Sequence, residues 1–157
     1  MTPATRVRPA ADADRAAWAA MFADYRAGAG LAPDPDAVAR VWTWVCDPAH
    51  PVRALLAVTE DGPVGFAHAR RFPRPILGAE GVYLDDLYTS PSARGRGVAR
   101  ALLGDLAAQA RAEGLGVVRW TTRPGNAAAR RLYDAVATVA DSVTYDLVPA
   151  EAADPVR

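Results

Sequence analysis

The sequence predicts an α+β fold in which helices flank a mixed, mostly antiparallel sheet. Its 157 residues suit one compact domain, and a hydrophobic content of 51% is enough to form a core. Apolar residues recur with the period of a strand in some segments and of a helix in others, in the order βααβββαβαβ. Because neither an internal repeat nor a low-complexity linker interrupts this order, we expect a single domain over residues 5–150. The polar tail at 151–157 should lack regular structure.

The first part of the chain predicts one strand and two helices. Residues 6–8 alternate as a short strand, after which Asp12 or Asp14 can cap a helix that ends near Gly28. Asp34 as the cap and Pro35 in the first turn then mark a second helix. Aromatic residues stand at helical spacing on both helices, which predicts that most of them lie in the core: Trp18, Phe22, Tyr25, Trp42 and Trp44.

Three strands follow the second helix. Residues 54–59 and 64–69 flank Asp61 and Gly62, a dipeptide typical of tight hairpin turns, and should therefore pair antiparallel. The proline-containing stretch 72–81 predicts a loop, and residues 82–88 predict the third strand.

The last part of the chain alternates helices with strands. Apolar residues at helical spacing predict a helix over 98–113, which Gly114 ends. A strand over 117–121 precedes a short helix over 127–136 that Asn126 caps. Alternation over 143–147 predicts a final strand.

The composition excludes several classes of function. All 18 basic residues are Arg, which rules out Schiff-base and P-loop lysines, and they balance the 18 acidic residues, so no net charge favours nucleic acid or an anionic membrane. The single cysteine, Cys46, cannot form an internal disulfide, and no apolar run suits a signal peptide or a membrane span. We therefore expect a cytoplasmic protein. His, Cys and acidic residues show no metal-ligand spacing, and no metal is expected.

Two arginines and two glycines at 94–97 lie between a predicted strand and a predicted helix. The N-terminus of a helix has unpaired N–H groups and a partial positive charge, so it suits a phosphate or pyrophosphate. The glycines let the backbone approach the anion, and the arginines add forked donors. The alternative is an ordinary turn with solvated arginines. A dinucleotide-binding fingerprint is excluded because Arg100 stands where its third glycine would be, and an RNA-binding RGG segment would be repetitive.

The segment Arg94-Gly95-Arg96-Gly97-Val98-Ala99 resembles the R/Q-x-x-G-x-G/A signature of the GNAT N-acetyltransferase superfamily. The stretch 83–91 looks like the fourth strand of that family, and 126–133 looks like its last helix, with Asn126 and Tyr133 at the expected spacing. An acidic pair before this strand segment makes the diamine (polyamine or thialysine) acetyltransferases the nearest branch. The resemblance implies a single GNAT-type domain whose sheet is splayed between its fourth and fifth strands.

The resemblance also implies that acetyl-CoA is the co-substrate. Its pantetheine arm would pair with the edge of the splayed strand, its pyrophosphate would lie on the turn, and Asn126 would hydrogen-bond the arm. A backbone N–H of the strand would stabilise the oxyanion that develops on the thioester carbonyl. The residues implied to bind the cofactor are Leu87, Tyr88, Thr89, Arg94, Gly95, Arg96, Gly97, Val98, Ala99, Arg100, Asn126, Ala129 and Tyr133.

Three residues are candidates for the chemistry. An amine is mostly protonated at neutral pH, so a carboxylate near the splayed strand must take its proton. Simple alternation places Asp85 with Tyr83 and Leu87, and resemblance to the diamine branch favours Asp85, whereas a bulge would shift the parity and favour Asp86. Tyr133 would protonate the leaving thiolate of CoA.

The function that the resemblance implies is direct transfer of acetyl from acetyl-CoA to a primary amine of a small molecule. The aromatic residues of the two early helices could line the acceptor site. The alternatives are acetylation of a protein N-terminus or lysine, and a non-catalytic acyl-CoA-binding sensor. We expect neither nucleic acid nor membrane as a partner, and exposed strand edges in this fold type would allow a homodimer.

Overall fold

The computed structural model describes residues 5–149. The chain divides into two compact units at the boundary between Thr121 and Thr122. The first unit contains β1 (Arg6–Pro9), α1 (Arg15–Gly28), α2 (Pro35–Cys46), β2 (Arg53–Thr59), β3 (Gly62–Arg74), β4 (Ala79–Thr89), α3 (Val98–Ala112) and β5 (Val118–Arg119). The second unit contains α4 (Ala127–Val136).

The strands form one five-stranded sheet in the order β1-β2-β3-β4-β5. β1 to β4 pair antiparallel, and β5 lies parallel to β4. The pairing of β4 with β5 is restricted to Val82 with Val118 and Tyr83 with Arg119. Beyond Tyr83, the edge of β4 that faces β5 has no partner strand in the described part of the chain. The predicted mixed sheet, splayed between its fourth and fifth strands, is therefore confirmed.

The helix boundaries follow the predicted caps in two cases. The Asp34 carboxylate accepts a hydrogen bond of 2.9 Å from the Ala37 amide, and Pro35 opens α2. The Asn126 side chain accepts one of 3.4 Å from the Ala129 amide at the start of α4. Asp14 precedes α1 as predicted but makes no side-chain cap there, because its carboxylate binds Arg8 and the Ala11 amide instead.

The two faces of the sheet carry different helices. Phe66 of β3 and Tyr88 of β4 point to the face that α1 covers, where they pack in one cluster with the buried aromatic residues Trp18, Phe22 and Trp42. The predicted core role of these three residues is confirmed, while Trp44 is exposed. The intervening residues of the strands face α3, whose apolar side is buried at Val98, Leu102, Leu103, Leu106 and Ala110.

The predicted loop over 72–81 is wrong. β3 continues to Arg74 and pairs with β4 through Phe72 with Gly81, Pro73 with Glu80 and Arg74 with Ala79, and only a short 3-10 turn separates the strands. A proline inside a run suggests a loop because it cannot donate to a ladder. Here the pairing of β3 with β2 extends only to Ala69. At Pro73, the edge of β3 that faces away from β4 therefore has no partner strand in the described part of the chain, and a missing N–H costs little there.

The predicted final strand over 143–147 is also wrong. Residues 137–149 contain no strand, and Val143, Tyr145 and Leu147 are exposed. Alternation creates an apolar face, but a strand also needs a hydrogen-bonded neighbour, and the pairings of the described residues include none for this segment. The predicted tail at 151–157 lies outside the described residues.

Candidate active site

The turn at residues 94–97 has the backbone that an anion site requires. Gly95 and Gly97 adopt positive φ angles of 73° and 81°, and an added Cβ at either would meet no atom within 4 Å, so the space above the turn is open. Gly97 is the N-cap of α3, and no side chain caps the helix and no acidic residue lies in its first turn. The first amides of α3 therefore remain available to an anionic ligand.

Gly65 fixes the start of α3 against the sheet. A Cβ at Gly65 would lie 2.6 Å from the Tyr88 carbonyl oxygen and 2.8 Å from Cγ1 of Val98, so only glycine allows this approach. Thr89, at the end of β4, has a buried hydroxyl without a hydrogen-bond partner in the described part of the chain. The Arg94 Nε donates to the Thr89 carbonyl at 3.4 Å. The site thus contains, in chain order, an open strand edge, a buried hydroxyl without a hydrogen-bond partner in the described part of the chain, and a helix N-terminus without a side-chain cap. This arrangement fits a pantetheine arm and its pyrophosphate.

β4 contains a bulge at the acidic pair. His68 pairs with Asp86 and Ala69 pairs with Leu84, so Asp85 is the extra residue on β4. A bulge shifts the alternation of the strand that carries it. As a result, Asp86 shares a face with Tyr88 and His68, and Leu84 lies on the opposite face.

The Asp85 carboxylate is paired with Arg70. Arg70 Nε lies 3.2 Å from Oδ1 and 3.0 Å from Oδ2 of Asp85, and its guanidinium stacks over the Tyr83 ring at 4.8 Å. Burial raises the pKa of the Asp85 carboxyl above its usual range, although the charge and the hydrogen bond of Arg70 oppose that shift. Asp85 is therefore a partly desolvated carboxylate whose geometry is set by an arginine.

The Asp86 carboxylate is held by a buried histidine. Its Oδ2 lies 2.8 Å from Nδ1 of His68, and the exposed fractions of the two side chains are 27% for Asp86 and 2% for His68. On its other side, the His68 ring accepts a hydrogen bond of 3.0 Å at Nε2 from the indole N–H of Trp18. Asp86 thus reaches solvent while it is fixed from the core.

A pocket of about 460 Å³ lies between α1 and α2, on the same face of the sheet as His68. This volume is typical of a small-molecule site. At one position the pocket approaches β4, because the Tyr88 hydroxyl donates to the Asp24 carboxylate at 3.3 Å. Burial and this carboxylate raise the pKa of Tyr88, which keeps the phenol protonated as a donor. The pocket has a largely apolar wall with charges of both signs, and its lining includes Trp18, Leu31, Val38, Trp42, Arg15, Asp24 and Arg26.

The second unit contains the remaining predicted site residues. Asn126 caps α4 and also donates from Nδ2 to the Thr122 hydroxyl at 3.2 Å. Tyr133 lies seven positions further along α4, two helical turns from the cap, and burial raises the pKa of its phenol. The phenol therefore stays protonated at neutral pH, as a general acid must.

The first unit brings most of the predicted site residues to one region, from Asp85 along the open edge of β4 to Arg100 in the first turn of α3. Sequence reasoning missed Asp24, His68 and Arg70. His68 could have been found from the sequence. If the strands on either side of the predicted loop at 72–81 are paired antiparallel across it, His68 lies opposite the acidic pair. Among residues 5–149, no cluster of His, Cys, Asp and Glu could hold a metal ion, and no helix is long and apolar enough to span a bilayer.

The chain is similar to known proteins in both sequence and structure. Residues 16–137 match the model of the acetyltransferase (GNAT) family. The chain is 31% identical over 134 residues to the D-amino-acid N-acetyltransferase HPA3 of Saccharomyces cerevisiae, covering 84% of this chain and 83% of that protein. In structure it resembles the ribosomal-protein-alanine N-acetyltransferase of Brucella melitensis biovar Abortus, with a TM-score of 0.76, 23% identity and coverage of 92% and 99% of the two chains. It also resembles the aminoglycoside N-acetyltransferase AAC(6')-Iy in complex with CoA, with a TM-score of 0.79, 18% identity and coverage of 94% and 97%. Both likenesses confirm the predicted fold.

Proposed function

Since the chain belongs to the acetyltransferase (GNAT) family and is thus an acetyl-CoA-dependent N-acetyltransferase, we propose that it acetylates the primary amine of a free amino acid. The observation that carries this proposal is the pocket between α1 and α2, which is of small-molecule size and carries both acidic and basic side chains. One of them, Asp24, accepts a hydrogen bond from Tyr88 of β4. A protein acceptor would not need a concave apolar wall of this size. We place the reaction in the cytoplasm, in line with the single cysteine.

The charges of the pocket favour a zwitterion over a diamine. Asp24 can bind an ammonium group, while Arg15 and Arg26 can bind a carboxylate. Arg26 is only loosely engaged, since its Nη2 lies 3.9 Å from Oδ2 of Asp34. A diamine would bring a second positive charge to these arginines, which argues against the polyamine branch. A relative that acetylates D-amino acids supports the same choice.

The roles of the site residues follow from their positions. Acetyl-CoA supplies an activated thioester, its pyrophosphate held by the turn from Arg94 to Arg100 and its arm by the open edge of β4 from Leu87 to Thr89. Asp86 takes the proton of the acceptor ammonium, because it is partly exposed and lies on the same face of β4 as Tyr88, which the pocket approaches. Asp85, which is bound to Arg70, contributes to the electrostatic potential around Asp86.

The amine nitrogen then attacks the thioester carbonyl carbon, and an N–H of the β4 edge stabilises the oxyanion. When the C–S bond breaks, the thiolate of CoA receives the proton of the Tyr133 phenol. We assign Asn126, which caps α4, and Ala129, one turn before Tyr133, to the binding of the arm.

The test is the release of CoA thiol with a matched set of acceptors. Phenylalanine, in both enantiomers, is compared with phenethylamine, which lacks the carboxylate, with a linear diamine, with an aminoglycoside and with a peptide that has a free N-terminus. We expect kcat/KM for phenylalanine to exceed that for phenethylamine by about tenfold or more, the value of a charged hydrogen bond. A preference for the diamine or the peptide would refute the proposed acceptor and leave the acetyltransferase activity intact. Binding of acetyl-CoA without turnover of any amine would identify a sensor.

Variants of the pocket locate the acceptor. Asp24→Asn and Arg26→Met should raise KM for the amino acid and leave KM for acetyl-CoA unchanged. Asp36→Asn and Arg40→Met are the matched controls, because both residues are exposed on α2 and do not line the pocket. Equal effects of the pocket variants and the controls would show that the acceptor binds elsewhere.

A further inference from the structure

The ring of His68 is buried among aromatic side chains. Its exposed fraction is 2%, and its centroid lies 4.6 Å from that of Phe66, 5.2 Å from that of Phe22 and 5.6 Å from that of Trp18. A buried polar ring is costly unless its nitrogens are hydrogen-bonded. Both nitrogens of His68 have partners, Trp18 at Nε2 and Asp86 at Nδ1.

These two partners determine where the proton of the ring lies. The indole N–H of Trp18 is a donor only, so Nε2 of His68 must be an unprotonated acceptor. The single proton of the neutral ring is therefore on Nδ1, from which it is donated to Oδ2 of Asp86. A second proton on Nε2 would bring two N–H groups face to face at 3.0 Å and bury a cation among aromatic rings. His68 is consequently not a base for the substrate.

The charged surroundings of this pair lie on the sheet. Asp85 and Arg70, which bind each other, flank Asp86 on β4 and β3. From α1, the residues packed on the His68 ring are Trp18 and Phe22, which carry no charge. Among the described contacts of the His68 ring, Asp86 is therefore the one charged side chain.

We propose that His68, locked by Trp18 in its Nδ1–H tautomer, is a positioning residue that aims the Asp86 carboxylate at the acceptor amine. The inference rests on the proposed role of Asp86 in the proposed function. The bulge at Asp85 is what makes the arrangement possible, since it aligns Asp86 with His68 and so with the core. A hydrogen bond donated to a carboxylate favours its charged form, and a rigid donor restricts its rotamer.

The tautomer is tested in the free protein by 15N NMR of the histidine side chains. We expect Nδ1 of His68 to be protonated and Nε2 to be unprotonated, as the donor-only indole N–H of Trp18 requires. Trp18→Phe removes the donor and keeps an aromatic ring, so the ring of His68 should then show a mixture of tautomers. A proton on Nε2 in the wild-type protein, or an unchanged spectrum in Trp18→Phe, would overturn the proposal.

Kinetics then test the consequence for catalysis. His68→Leu removes the donor, whereas His68→Asn retains an N–H close to the position of Nδ1. We expect His68→Leu to lower kcat by about tenfold or more at unchanged KM for acetyl-CoA, which is the scale found when a residue that orients a metal ligand is removed. His68→Asn should keep kcat within about threefold of wild type. Equal loss in both variants would indicate a packing effect and overturn the proposal.

Two controls separate this inference from the proposed function. Phe66→Leu weakens the same aromatic cluster without touching Asp86, and we expect it to lower stability and to spare kcat. A fall in kcat in Phe66→Leu as large as in His68→Leu would contradict the positioning role.

Wild-type kcat in Asp86→Asn would instead refute the proposed role of Asp86, whatever the tautomer of His68. Slow turnover in Asp86→Asn with wild-type turnover in His68→Leu would refute the positioning role alone.

Discussion

Asp85 and Asp86 are adjacent on β4, yet their carboxylates are held by opposite means: Arg70 binds Asp85 at the surface, and His68 binds Asp86 from the core. The bulge at Asp85 creates this difference, because it aligns Asp86 with His68 and leaves Asp85 without a partner in the ladder. Asp85 thus has an arginine partner at the surface, whereas Asp86 has a buried histidine ring as its partner. The pH dependence of stability tests the partly desolvated carboxyl of Asp85.

Asp85→Asn should become more stable relative to wild type as the pH rises. Burial raises the pKa of the Asp85 carboxyl above its ordinary value of 3.8, so the folded state holds the proton more tightly than the unfolded state. In wild type, stability is therefore lost as the pH rises from the ordinary value through the raised one. Urea unfolding from about pH 3.5 to about pH 7 measures the difference. Asp36→Asn, at an exposed site on α2, is the control, and a difference between Asp85→Asn and wild type that does not change with pH would refute the prediction.

Asp14 should show the opposite dependence. Its carboxylate accepts hydrogen bonds from Arg8 at 2.6 and 2.8 Å and from the Ala11 amide at 2.8 Å, and the hydrogen bond from Arg8 is the main cause that lowers the pKa of Asp14 below its ordinary value. The pair therefore stabilises the fold above the ordinary value, and this contribution is lost as the pH falls through the lowered one. We expect Asp14→Asn to cost about 2 kcal/mol at neutral pH, as for a lost charged hydrogen bond.

The difference between Asp14→Asn and wild type should shrink when urea unfolding is repeated at acidic pH. Arg8→Met tests the pair from its other side and should reproduce the loss at neutral pH. A constant difference at all pH values would mean that Asp14 acts through packing and not through its charge.

Gly65→Ala should destabilise the protein and weaken its binding of acetyl-CoA. The new methyl group would stand 2.6 Å from the Tyr88 carbonyl and 2.8 Å from Val98, so β4 or the start of α3 must move. Overpacking of this kind costs about 1–3 kcal/mol. Gly104→Ala is the matched control, since Gly104 lies within α3 with nothing within 4 Å of an added Cβ, and it should stabilise the helix by about 0.8 kcal/mol. Thermal unfolding and calorimetric titration with CoA measure both effects; normal CoA binding in Gly65→Ala would contradict the role of this contact.

The local part of the site could be predicted from the sequence. The turn at 94–97 and the helix that opens at Val98 depend on neighbouring residues only, because glycine backbone freedom and capping are local properties. The same is true of Asp34 and Asn126, whose caps lie within three positions of the residues that they bind.

The non-local part could not be predicted. The assignment of 72–81 as a loop concealed the register of β3 with β4, and hence the pairing of His68 with Asp86. The bulge at Asp85 depends on that register and leaves no local signal. The prediction of a final strand at 143–147 was wrong for a related reason. Alternation describes which face of a segment is apolar, and it does not show whether a neighbouring strand is present to pair with it.

Arg96→Gln should raise KM for acetyl-CoA about tenfold, the value of one charged hydrogen bond to a phosphate, and leave kcat unchanged. The effect of salt on KM should also become smaller, because exposed charge pairs are screened. Arg111→Gln, in the last turn of the same helix, is the control and should leave KM unchanged. The steady-state rate of thiol release at low and high salt provides both numbers, and equal effects of the two substitutions would argue against a specific phosphate site at the turn.

Tyr133→Phe should lower kcat and leave the affinity for acetyl-CoA intact. The phenol supplies a proton to the leaving thiolate, and loss of a general acid typically costs about a hundredfold or more. Burial raises the pKa of Tyr133 above its ordinary value of 10.0, so ionisation of this residue should not reduce kcat of the wild-type enzyme below that pH. Tyr145→Phe is the control, because Tyr145 is exposed. Stopped-flow measurement of thiol release with a saturating acceptor separates the chemical step from cofactor binding, and an unchanged rate in Tyr133→Phe would assign the proton to water.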